Sequence, residues 1–353
     1  MKKLLALFLA LITALSLTTF ACGTTPPDDD GDDGDTDIVE FVPPENVRPD
    51  TDVVYVENGD GTITFGMYPQ TKVTNTTLLS TLNNKISGTP TANAPGQWTA
   101  QDFVNVDNNC DNTDYHDWMF FIDVQEGENY YRAIYFTEYR LFNAVRSTAN
   151  YQEGNGYLIN TVYWFKYEPI LWQVLTTKQD GSKFLFCDMA IDCLPFDNDG
   201  KCDNNYAEST GRKFINENFL YYAFTPAEIA MIPTVEVDNS AKSTGEGSNV
   251  CACENTLDKV FMLSIWELTE PAYGFNIDGK AKDEKRIKKV TDYGISQGTY
   301  SNYSQGEYIA GWTTRSPNPI PRRTRFIWPT GDYNEYDACC TWGFVPGLYV
   351  KAN

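Results

Sequence analysis

Glutamates and one arginine stand near tryptophans in this sequence and could carry recognition chemistry. Glu168 and Glu267 lie close to tryptophans, and Arg315 follows Trp312 by three positions. A buried arginine paired with a carboxylate would stabilise the core without a ligand. The same groups, with Trp342, could instead form a sugar pocket of aromatic platforms and polar groups. The sequence predicts that Arg315 reaches Glu168 or Glu267, near a concave surface lined by Trp312 and Trp342.

Carboxylates at alternate positions precede a glycine in the segment 197–203, Asp-Asn-Asp-Gly-Lys-Cys-Asp. Asp197, Asp199 and Asp203 could bind calcium, because calcium prefers oxygen ligands. The segment lacks the distant bidentate glutamate of a calcium loop, and Lys201 lies inside it. A plain turn is therefore the alternative. No other cofactor is expected.

Cysteine use indicates an exported protein. The chain has nine cysteines, and assigning Cys22 to a lipid leaves an even number. No Cys-x-x-Cys pair occurs, which argues against zinc knuckles and thioredoxin chemistry. We expect disulfides on long loops, formed by Cys110, Cys187, Cys193, Cys202, Cys251, Cys253, Cys339 and Cys340. The adjacent Cys339 and Cys340 are expected to bond different partners, because neighbouring Cα atoms are only about 3.8 Å apart.

His116 is the only histidine, which excludes multi-histidine metal sites. It could act as a general base with Asp114 or Asp117. The sequence shows no Gly-x-Ser-x-Gly motif or comparable nucleophile. We therefore interpret His116 as a surface loop residue and predict a protein without catalytic activity.

The N-terminus has the pattern of an export signal. Residues 1–21 form a leader with a basic start at Lys2 and Lys3, an apolar middle and a small-residue end. The segment 19–22, Thr-Phe-Ala-Cys, resembles a bacterial lipoprotein cleavage box, although its threonine stands where leucine is expected. The sequence thus predicts a lipidated Cys22 and a membrane-anchored, extracytoplasmic protein on the cell surface. Plain secretion is the alternative.

Composition predicts two further regions. Residues 22–52 are rich in aspartate and proline, which predicts an extended, disordered tether. Residues 53–353 are aromatic-rich and are predicted to form a single globular domain. The formal charge of the chain is −21, so it should repel phosphate backbones, and no nucleic-acid partner is expected. The basic cluster at 280–289 is interpreted as a solvated face.

The run 162–175 is the longest aromatic and β-branched stretch, and it predicts a strand in the middle of a sheet. Pro169 cannot donate to a ladder, so a bulge or break is expected there. Hairpins are predicted around 58–61, 126–129 and 179–182. We expect helices after Ser209 and Thr225 and near 77–86, a loop at 89–117, and further strands at 259–264, 310–315, 325–328 and 343–350.

Several motifs occur in one order: Ile-Thr-Phe-Gly-Met-Tyr-Pro-Gln (63–70), Phe-Lys-Tyr-Glu-Pro-Ile-Leu-Trp (165–172), Ser-Thr-Gly-Arg-Lys-Phe-Ile-Asn (209–216), Thr-Leu-Asp-Lys-Val-Phe-Met-Leu-Ser (256–264), Trp-Thr-Thr-Arg-Ser-Pro (312–317) and Gly-Phe-Val-Pro-Gly (343–347). From about Ile63 to the C-terminus the chain resembles the bacterial family of domain of unknown function 6273, which is common in exported proteins. The last motif of that family usually reads Gly-Val-Arg-Pro-Ala, and Val345 replaces its arginine here. If that arginine serves a ligand, this chain has lost it.

The resemblance implies an α+β fold of mostly antiparallel sheets, a few short helices and long disulfide-stapled loops. The family pattern is distantly similar to C-type-lectin-like folds, including formylglycine-generating enzymes. This similarity supports an expectation about the fold and not about the function. We expect a non-catalytic surface lipoprotein that binds a glycan or a protein. The alternatives are a thiol or copper oxidase that uses Cys339 or Cys340, and a structural envelope protein.

Overall fold

The computed structural model describes residues 41–90, 96–106, 113–143, 149–199 and 203–352, with side chains at all of these positions except 101–106 and 113–118. The chain divides into two units, 1–42 and 43–353. Of the first unit only Phe41 and Val42 are described, and both are exposed. The predictions for the leader, Cys22 and the tether up to residue 40 lie outside the described residues.

The described part of the second unit contains strands and short helices. The strands are β1 (Tyr55–Glu57), β2 (Thr62–Lys72), β3 (Thr99–Val106), β4 (Thr113–Glu126), β5 (Asn129–Phe136), β6 (Tyr163–Thr177), β7 (Lys183–Cys187), β8 (Met189–Ala190), β9 (Asp192–Pro195), β10 (Val235–Val237), β11 (Thr256–Asp258), β12 (Val260–Met262), β13 (Lys289–Val290), β14 (Ser301–Ser304), β15 (Glu307–Ala310), β16 (Trp312–Pro317), β17 (Arg323–Ile327), β18 (Tyr333–Asp337), β19 (Thr341–Phe344) and β20 (Pro346–Val350). The α-helices are α1 (Thr76–Asn83), α2 (Thr210–Phe214), α3 (Leu220–Ala223), α4 (Pro226–Ile229) and α5 (Asp292–Ser296).

A nine-stranded antiparallel sheet forms the centre, in the order β12-β20-β7-β6-β5-β4-β3. The central strand β6 also pairs with β2, which in turn pairs with β1. Three smaller sheets have the orders β10-β11, β14-β15-β13-β8 and β18-β17-β16-β19-β9. Only β13 with β8 and β16 with β19 pair in parallel among these described strands. The prediction of an α+β fold built mostly from antiparallel sheets is confirmed.

The central strand β6 follows the predicted aromatic run. Its neighbours Trp164 and Phe165 are both buried, in two different hydrophobic clusters, because a strand inside a sheet presents successive residues to opposite faces and both faces are covered here. The break expected at Pro169 is absent from β6, since Pro169 pairs in register with Met67 of β2. The register shifts lie along β2 instead, between Thr64 and Met67 and again farther along the strand.

The predicted loop at 89–117 is wrong in part. β3 lies within it as the outermost strand beyond β4, and β4 itself begins at Thr113. These strands are rich in asparagine, aspartate and glutamine, which the sequence pattern assigns to loops. Pairing with β5, whose residues 131–136 are all buried, anchors β4 in the sheet, and β3 then pairs with β4 along this polar stretch.

Residues 43–52 belong to the folded second unit rather than to an extended tether. Arg48 is buried and lies against Glu228, the residue that completes the capping box of α4 with Thr225. Its Nη1 donates to Glu228 Oε1 at 3.1 Å and its Nη2 to the Ala223 carbonyl at 3.0 Å. A buried ion pair of this kind ties residues 46–52 to the helices.

The basic cluster at 280–289 is not uniformly a solvated face. Arg286 is 1 % exposed and donates to five backbone carbonyls, those of Gly331, Leu268, Asn276, Asp278 and Ala281. Lys288 is also buried, and its Nζ donates to the Cys187 carbonyl at 2.8 Å. Burial lowers the pKa of Lys288 to about 8. Both side chains hold loops in place and do not face water.

A helix of three parts runs over 210–223, because the π-helix Ile215–Phe219 joins α2 to α3. Ser209 caps it as predicted, accepting from the Arg212 N–H. Gly211 donates its N–H to the Phe196 carbonyl at 3.0 Å, and a Cβ there would lie 2.7 Å from the carbonyls of Phe196 and Pro195. Glycine therefore lets this helix pack directly against the end of β9.

No described helix has the length and apolar composition needed to cross a membrane.

Candidate functional site

The arginine predicted from the sequence does form an ion pair. Arg315 is 3 % exposed, and its Nη1 lies 2.5 Å from Glu267 Oε2. The same Nη1 donates to the Met262 carbonyl at 2.8 Å, and Nη2 donates to the Asp238 carbonyl at 3.3 Å. The terminal nitrogens of Arg315 are therefore engaged by protein acceptors that tie β16 to β12 and its flanking loops.

Trp312 and Trp342 do not line a concave surface. They are 0 % and 1 % exposed. Trp312 Nε1 donates to the Arg286 carbonyl at 3.0 Å, and Trp342 stacks on Phe326 with ring centroids 4.0 Å apart. Both rings are core because their strands lie inside the five-stranded sheet. This corrects the expected surface beside Arg315.

Glu168 lies elsewhere. Its side chain accepts from Thr71 Oγ1 at 2.6 Å across the β2–β6 pair and does not pair with Arg315. His116 belongs to the stretch of β4 whose side chains the structure does not describe. No role for the histidine follows from the fold.

The three aspartates predicted as weak calcium ligands are described, although residues 200–202 between them are not. Asp197 is buried and accepts from the Thr210 N–H at 3.0 Å, at the start of helix 210–223. Burial raises the pKa of Asp197 to about 7, and Asp199 and Asp203 add to the shift. Within the described residues no three acidic, cysteine or histidine side chains group as ligands of a metal ion. The calcium hypothesis therefore gains no support.

The predicted disulfides are not found among the described cysteines. Cys187, Cys193, Cys251, Cys253 and Cys340 are thiols. Cys339 Sγ lies 3.8 Å from Asn143 Oδ1. Cys110 and Cys202 lie outside the described residues. The expected stapling of long loops is corrected at the described positions, where backbone and arginine contacts hold the loops instead.

The two adjacent cysteines lie in the core. Cys339 and Cys340 are 6 % and 0 % exposed. Burial raises the pKa of Cys340, and its contact with Cys339 adds to the effect. A buried, protonated thiol is a poor nucleophile and a poor metal ligand.

A cavity of about 290 Å³ lies elsewhere, where β4 and β9 meet helix 210–223. Its wall contains aromatic rings, side-chain amides, small or aliphatic residues and one charged side chain. The lining residues are Ala100, Phe121, Arg140, Cys193, Leu194, Pro195, Asn198, Thr210, Gly211, Phe214, Asn218 and Tyr222. None of these residues was predicted from the sequence to bind a ligand. They come from five separate stretches, so no local motif unites them.

Phe121 and Tyr222 form an aromatic partition at one side of this cavity. Their ring centroids are 5.4 Å apart in an edge-to-face arrangement. The guanidinium of Arg132 lies 4.1 Å from the Phe121 ring centroid and 4.7 Å from that of Tyr222. Asp123 holds Arg132 through two hydrogen bonds of 2.8 and 2.7 Å and also accepts from Tyr167 at 2.9 Å. Arg132, which Asp123 holds in place, therefore packs against both rings and keeps the partition in position.

Arg132 keeps its positive charge in this position. Burial alone would lower its pKa, but the Asp123 carboxylate beside it raises the pKa well above the usual value. Burial raises the pKa of Tyr222, while Arg132 and a hydrogen bond with Asn218 oppose the rise. Tyr222 therefore presents a neutral hydroxyl at neutral pH.

Two polar side chains of the cavity wall are themselves buried. Arg140 is 6 % exposed, and its Nη1 donates to the Cys193 carbonyl at 2.7 Å. Asn198 is 9 % exposed, and its Oδ1 is buried with no hydrogen-bond partner among the described residues. An unpaired buried carbonyl oxygen is costly, and a ligand that donates to it would remove that cost.

A second cavity, of about 530 Å³, adjoins the first at Phe121 and Tyr222. Its wall is formed by Pro44, Glu45, Asn46, Val47, Thr99, Phe121, Ile122, Asp123 and Tyr222. The folded segment before residue 53 thus supplies one side of it. Phe121 and Tyr222, the aromatic partition, belong to the walls of both cavities, and we refer to the two cavities together as the groove. We call them the Arg140 cavity and the Asp123 cavity.

Residues 180–352 match the family described as Domain of unknown function (DUF6273). The match covers the C-terminal part of the chain, just under half of its length. The expected resemblance is confirmed there, whereas the motifs at 63–70 and 165–172 lie before the matched region. No curated protein and no solved structure matches the chain. The DUF6273 region supplies β9 and helix 210–223 to the Arg140 cavity, and the part before it supplies Ala100, Phe121 and Arg140.

Proposed function

We propose that this DUF6273 protein is an extracytoplasmic binding protein whose groove, the Arg140 and Asp123 cavities, takes a glycan. The observation that carries the proposal is the Arg140 cavity, with aromatic rings and polar side chains held in place by contacts behind them. Small-molecule sites combine apolar walls with a few well-placed polar groups in this way. Arg315 is not among the described residues that line this cavity.

The chemistry of the wall suits sugar hydroxyl groups. Asn198 offers an unpartnered carbonyl oxygen, and the partly exposed Asn218 offers an amide with both donor and acceptor. Phe121, Phe214 and Tyr222 offer ring faces or edges against which the C–H face of a sugar can pack. Hydroxyl groups that alternate with C–H surface match such a wall.

Binding rather than catalysis is favoured by the ionisation of the one thiol in the wall. Burial raises the pKa of Cys193 to about 11, although Arg140 opposes the rise. The thiolate needed for nucleophilic attack is therefore scarce at neutral pH. The same reasoning disfavours an oxidase that uses the buried Cys340.

The fold and the anchor are parts of the same proposal. Antiparallel sheets with short helices are compatible with a C-type-lectin-like domain, and an experimental structure would test that similarity. The lipoprotein-like segment before Cys22 supports anchoring through a lipid. Mass spectrometry of the membrane fraction should find an acylated N-terminal Cys22 peptide, and Cys22→Ser should release the protein. A free N-terminus at Cys22 in a soluble protein contradicts the anchor.

Glycan binding is tested with the mature chain carrying Cys22→Ser on a glycan array. We expect signals for a defined set of glycans, and these should fall at least tenfold with Tyr222→Ala. The matched control is Tyr303→Ala, which removes a tyrosine that is 66 % exposed on β14 and should leave the signals unchanged. An array without signal, or equal losses for both variants, contradicts the proposal and favours a structural envelope protein.

A further inference from the structure

We infer that the glycan of this groove carries an amino sugar whose ammonium group binds in the Asp123 cavity. The inference rests on the proposed function and names its ligand class. Glu45 and Asp123 are the only charged side chains among the described residues that line this cavity, and both are acidic. A carboxylate only accepts hydrogen bonds, so it matches a ligand group that donates and carries positive charge. An ammonium group on a sugar ring meets both conditions.

Asp123 is fixed in place and still has room for one more donor. Its Oδ1 accepts from Arg132 Nε at 2.8 Å, and its Oδ2 accepts from Arg132 Nη2 at 2.7 Å and from Tyr167 Oη at 2.9 Å. A carboxylate has about four lone-pair sites, so these three bonds leave one of them open. The Asp123 side chain lines the cavity and is 13 % exposed, so a ligand can reach it.

The charge of Asp123 is balanced within the protein, whereas the charge of Glu45 is not. Arg132 is 1 % exposed and lines neither cavity, and its guanidinium balances Asp123. Glu45 is exposed and has no ion-pair partner in the part of the chain that the structure describes. The cavity therefore has one unbalanced negative charge, in a chain whose formal charge is −21. Such surroundings attract a cation and repel an anion.

Glu45 belongs to a segment that is fixed against the helix carrying Tyr222 before any ligand binds. Asn46 Nδ2 donates to the carbonyls of Tyr221 and Tyr222 at 2.8 and 3.2 Å. Asn46 Oδ1 accepts from the Arg48 N–H at 2.9 Å, and the Arg48 side chain is buried in an ion pair with α4. The backbone that carries Glu45 therefore loses little entropy when a ligand binds.

The aromatic partition and the volume of the cavity suit a sugar ring that bears a cation. Phe121 and Tyr222 belong to the wall, and aromatic rings attract cations as well as the C–H face of a sugar. The volume of about 530 Å³ lies within the range of ligand sites, so an amino sugar with its hydroxyl groups fits. An inorganic cation would leave most of this space unfilled, and the described residues offer it no group of three acidic ligands.

The test uses oligosaccharides that differ in a single group. Neutral oligomers of glucose, galactose or mannose are printed beside the same oligomers with one 2-amino sugar, in which an amine replaces a hydroxyl group, and beside the N-acetylated forms. We expect the mature chain carrying Cys22→Ser to bind at least one amine ten times or more tightly than both of its uncharged forms. Each glycan carries one amine only, which keeps attraction to the overall charge of the chain small.

The variants ask whether this preference arises in the Asp123 cavity. Glu45→Gln should abolish it, because the unbalanced charge is removed, while the uncharged glycans still bind. Glu45 is exposed, so the change should leave folding intact. Glu45→Asp keeps the charge and should retain part of the preference. The matched control is Glu254→Gln, which removes an exposed carboxylate outside both cavities and should leave the preference unchanged.

Each outcome decides between the two levels of the proposal. If the uncharged glycans bind as tightly as the amines, the amino sugar is wrong while glycan binding stands. If no glycan binds, both are wrong. Equal losses of preference in Glu45→Gln and Glu254→Gln, or no loss in either variant, would show that the overall charge attracts the amine and would overturn the assignment to the Asp123 cavity.

Discussion

The surroundings of Arg315 and those of Arg140 contain the same kinds of residue and differ in packing. Each has a buried arginine, and aromatic rings and carboxylates lie nearby. Around Arg315 the terminal nitrogens meet Glu267 and two backbone carbonyls, and the tryptophans pack in the core. Around Arg140 the same chemistry borders an empty space of about 290 Å³ with an unpartnered oxygen of Asn198.

This difference shows why residue type alone does not locate a site. Buried charge with aromatic neighbours stabilises a fold when its partners are all within the protein. It can recognise a ligand only where packing leaves room. The Arg315 region should therefore respond to mutation through stability, and the Arg140 region through binding.

The largest expected effect is on stability, at Arg315. Arg315→Ala leaves Glu267 and two carbonyls without their buried partner, so the free energy of unfolding should fall by about 3–5 kcal/mol. Urea denaturation measures it. The folded fraction should still bind glycan. The control Arg323→Ala removes a half-buried arginine and should stay within about 0.5 kcal/mol. If Arg315→Ala kept its stability and lost glycan binding, the binding site would lie at Arg315 instead.

The second prediction concerns pH and Asp197, beside the Arg140 cavity. Because its folded pKa is raised from 3.8 to about 7, the folded state keeps a proton that the unfolded state loses. Stability should therefore fall as the pH rises from about 4 to 7, by at most about 4 kcal/mol from this group. Asp197→Asn should flatten that slope in urea denaturation.

Asp180→Asn is the control for this pH effect. Hydrogen bonds from Ser182 lower the pKa of Asp180 to about 2, so its contribution is lost only as the pH falls below about 4. In that variant the change in stability between pH 4 and pH 7 should be the same as in the unaltered protein. An unaltered slope in Asp197→Asn would show that Asp197 ionises normally in the folded state.

The third prediction tests how closely helix 210–223 must pack to shape the cavity. Gly211→Ala places a Cβ 2.7 Å from the carbonyl oxygens of Pro195 and Phe196, where β9 ends, so the helix must shift. We expect a loss of about 1–3 kcal/mol, larger than the gain in helix propensity, and weaker glycan binding. Gly154→Ala meets no atom within 4 Å and should change stability by less than about 0.5 kcal/mol. Equal effects would contradict close packing as the cause.

Local signals predicted the elements that border the groove. The capping Ser209 and the capping box of Thr225 and Glu228 located the helix starts, and the β4–β5 turn was expected where it lies. These features depend on residues a few positions apart. The ion pair of Arg315 with Glu267 was expected for a similar reason, since charge beside tryptophan in buried strands needs a partner.

The groove could not be predicted because it depends on distances between remote stretches. Arg140 lies in a polar segment after β5, and only the tertiary fold brings it to the Cys193 carbonyl. Composition assigned Arg48 to the tether, because its partner Glu228 lies 180 positions away and does not enter a local pattern. A cavity is also an absence of atoms, which no residue pattern encodes.

The smallest expected effect on stability is at Asn198, where binding and folding should separate. Its Oδ1 is buried without a hydrogen-bond partner in the described part of the chain, so removing it relieves a desolvation cost that offsets the lost packing. Asn198→Ala should change the free energy of unfolding by less than about 1 kcal/mol, or stabilise the protein, whereas a bonded buried amide would cost about 1–3 kcal/mol.

Glycan binding should weaken about tenfold in the same variant, because the ligand loses the acceptor that the free protein leaves unused. Asn204→Ala is the matched control, since Asn204 is equally buried but donates to three backbone carbonyls. That change should destabilise the protein by about 1–3 kcal/mol and leave the affinity of the folded fraction unchanged. Opposite responses of the two asparagines would separate an amide kept for the fold from one kept for a ligand. Equal destabilisation with unchanged affinity would instead make the Asn198 region a second structural cluster like that of Arg315.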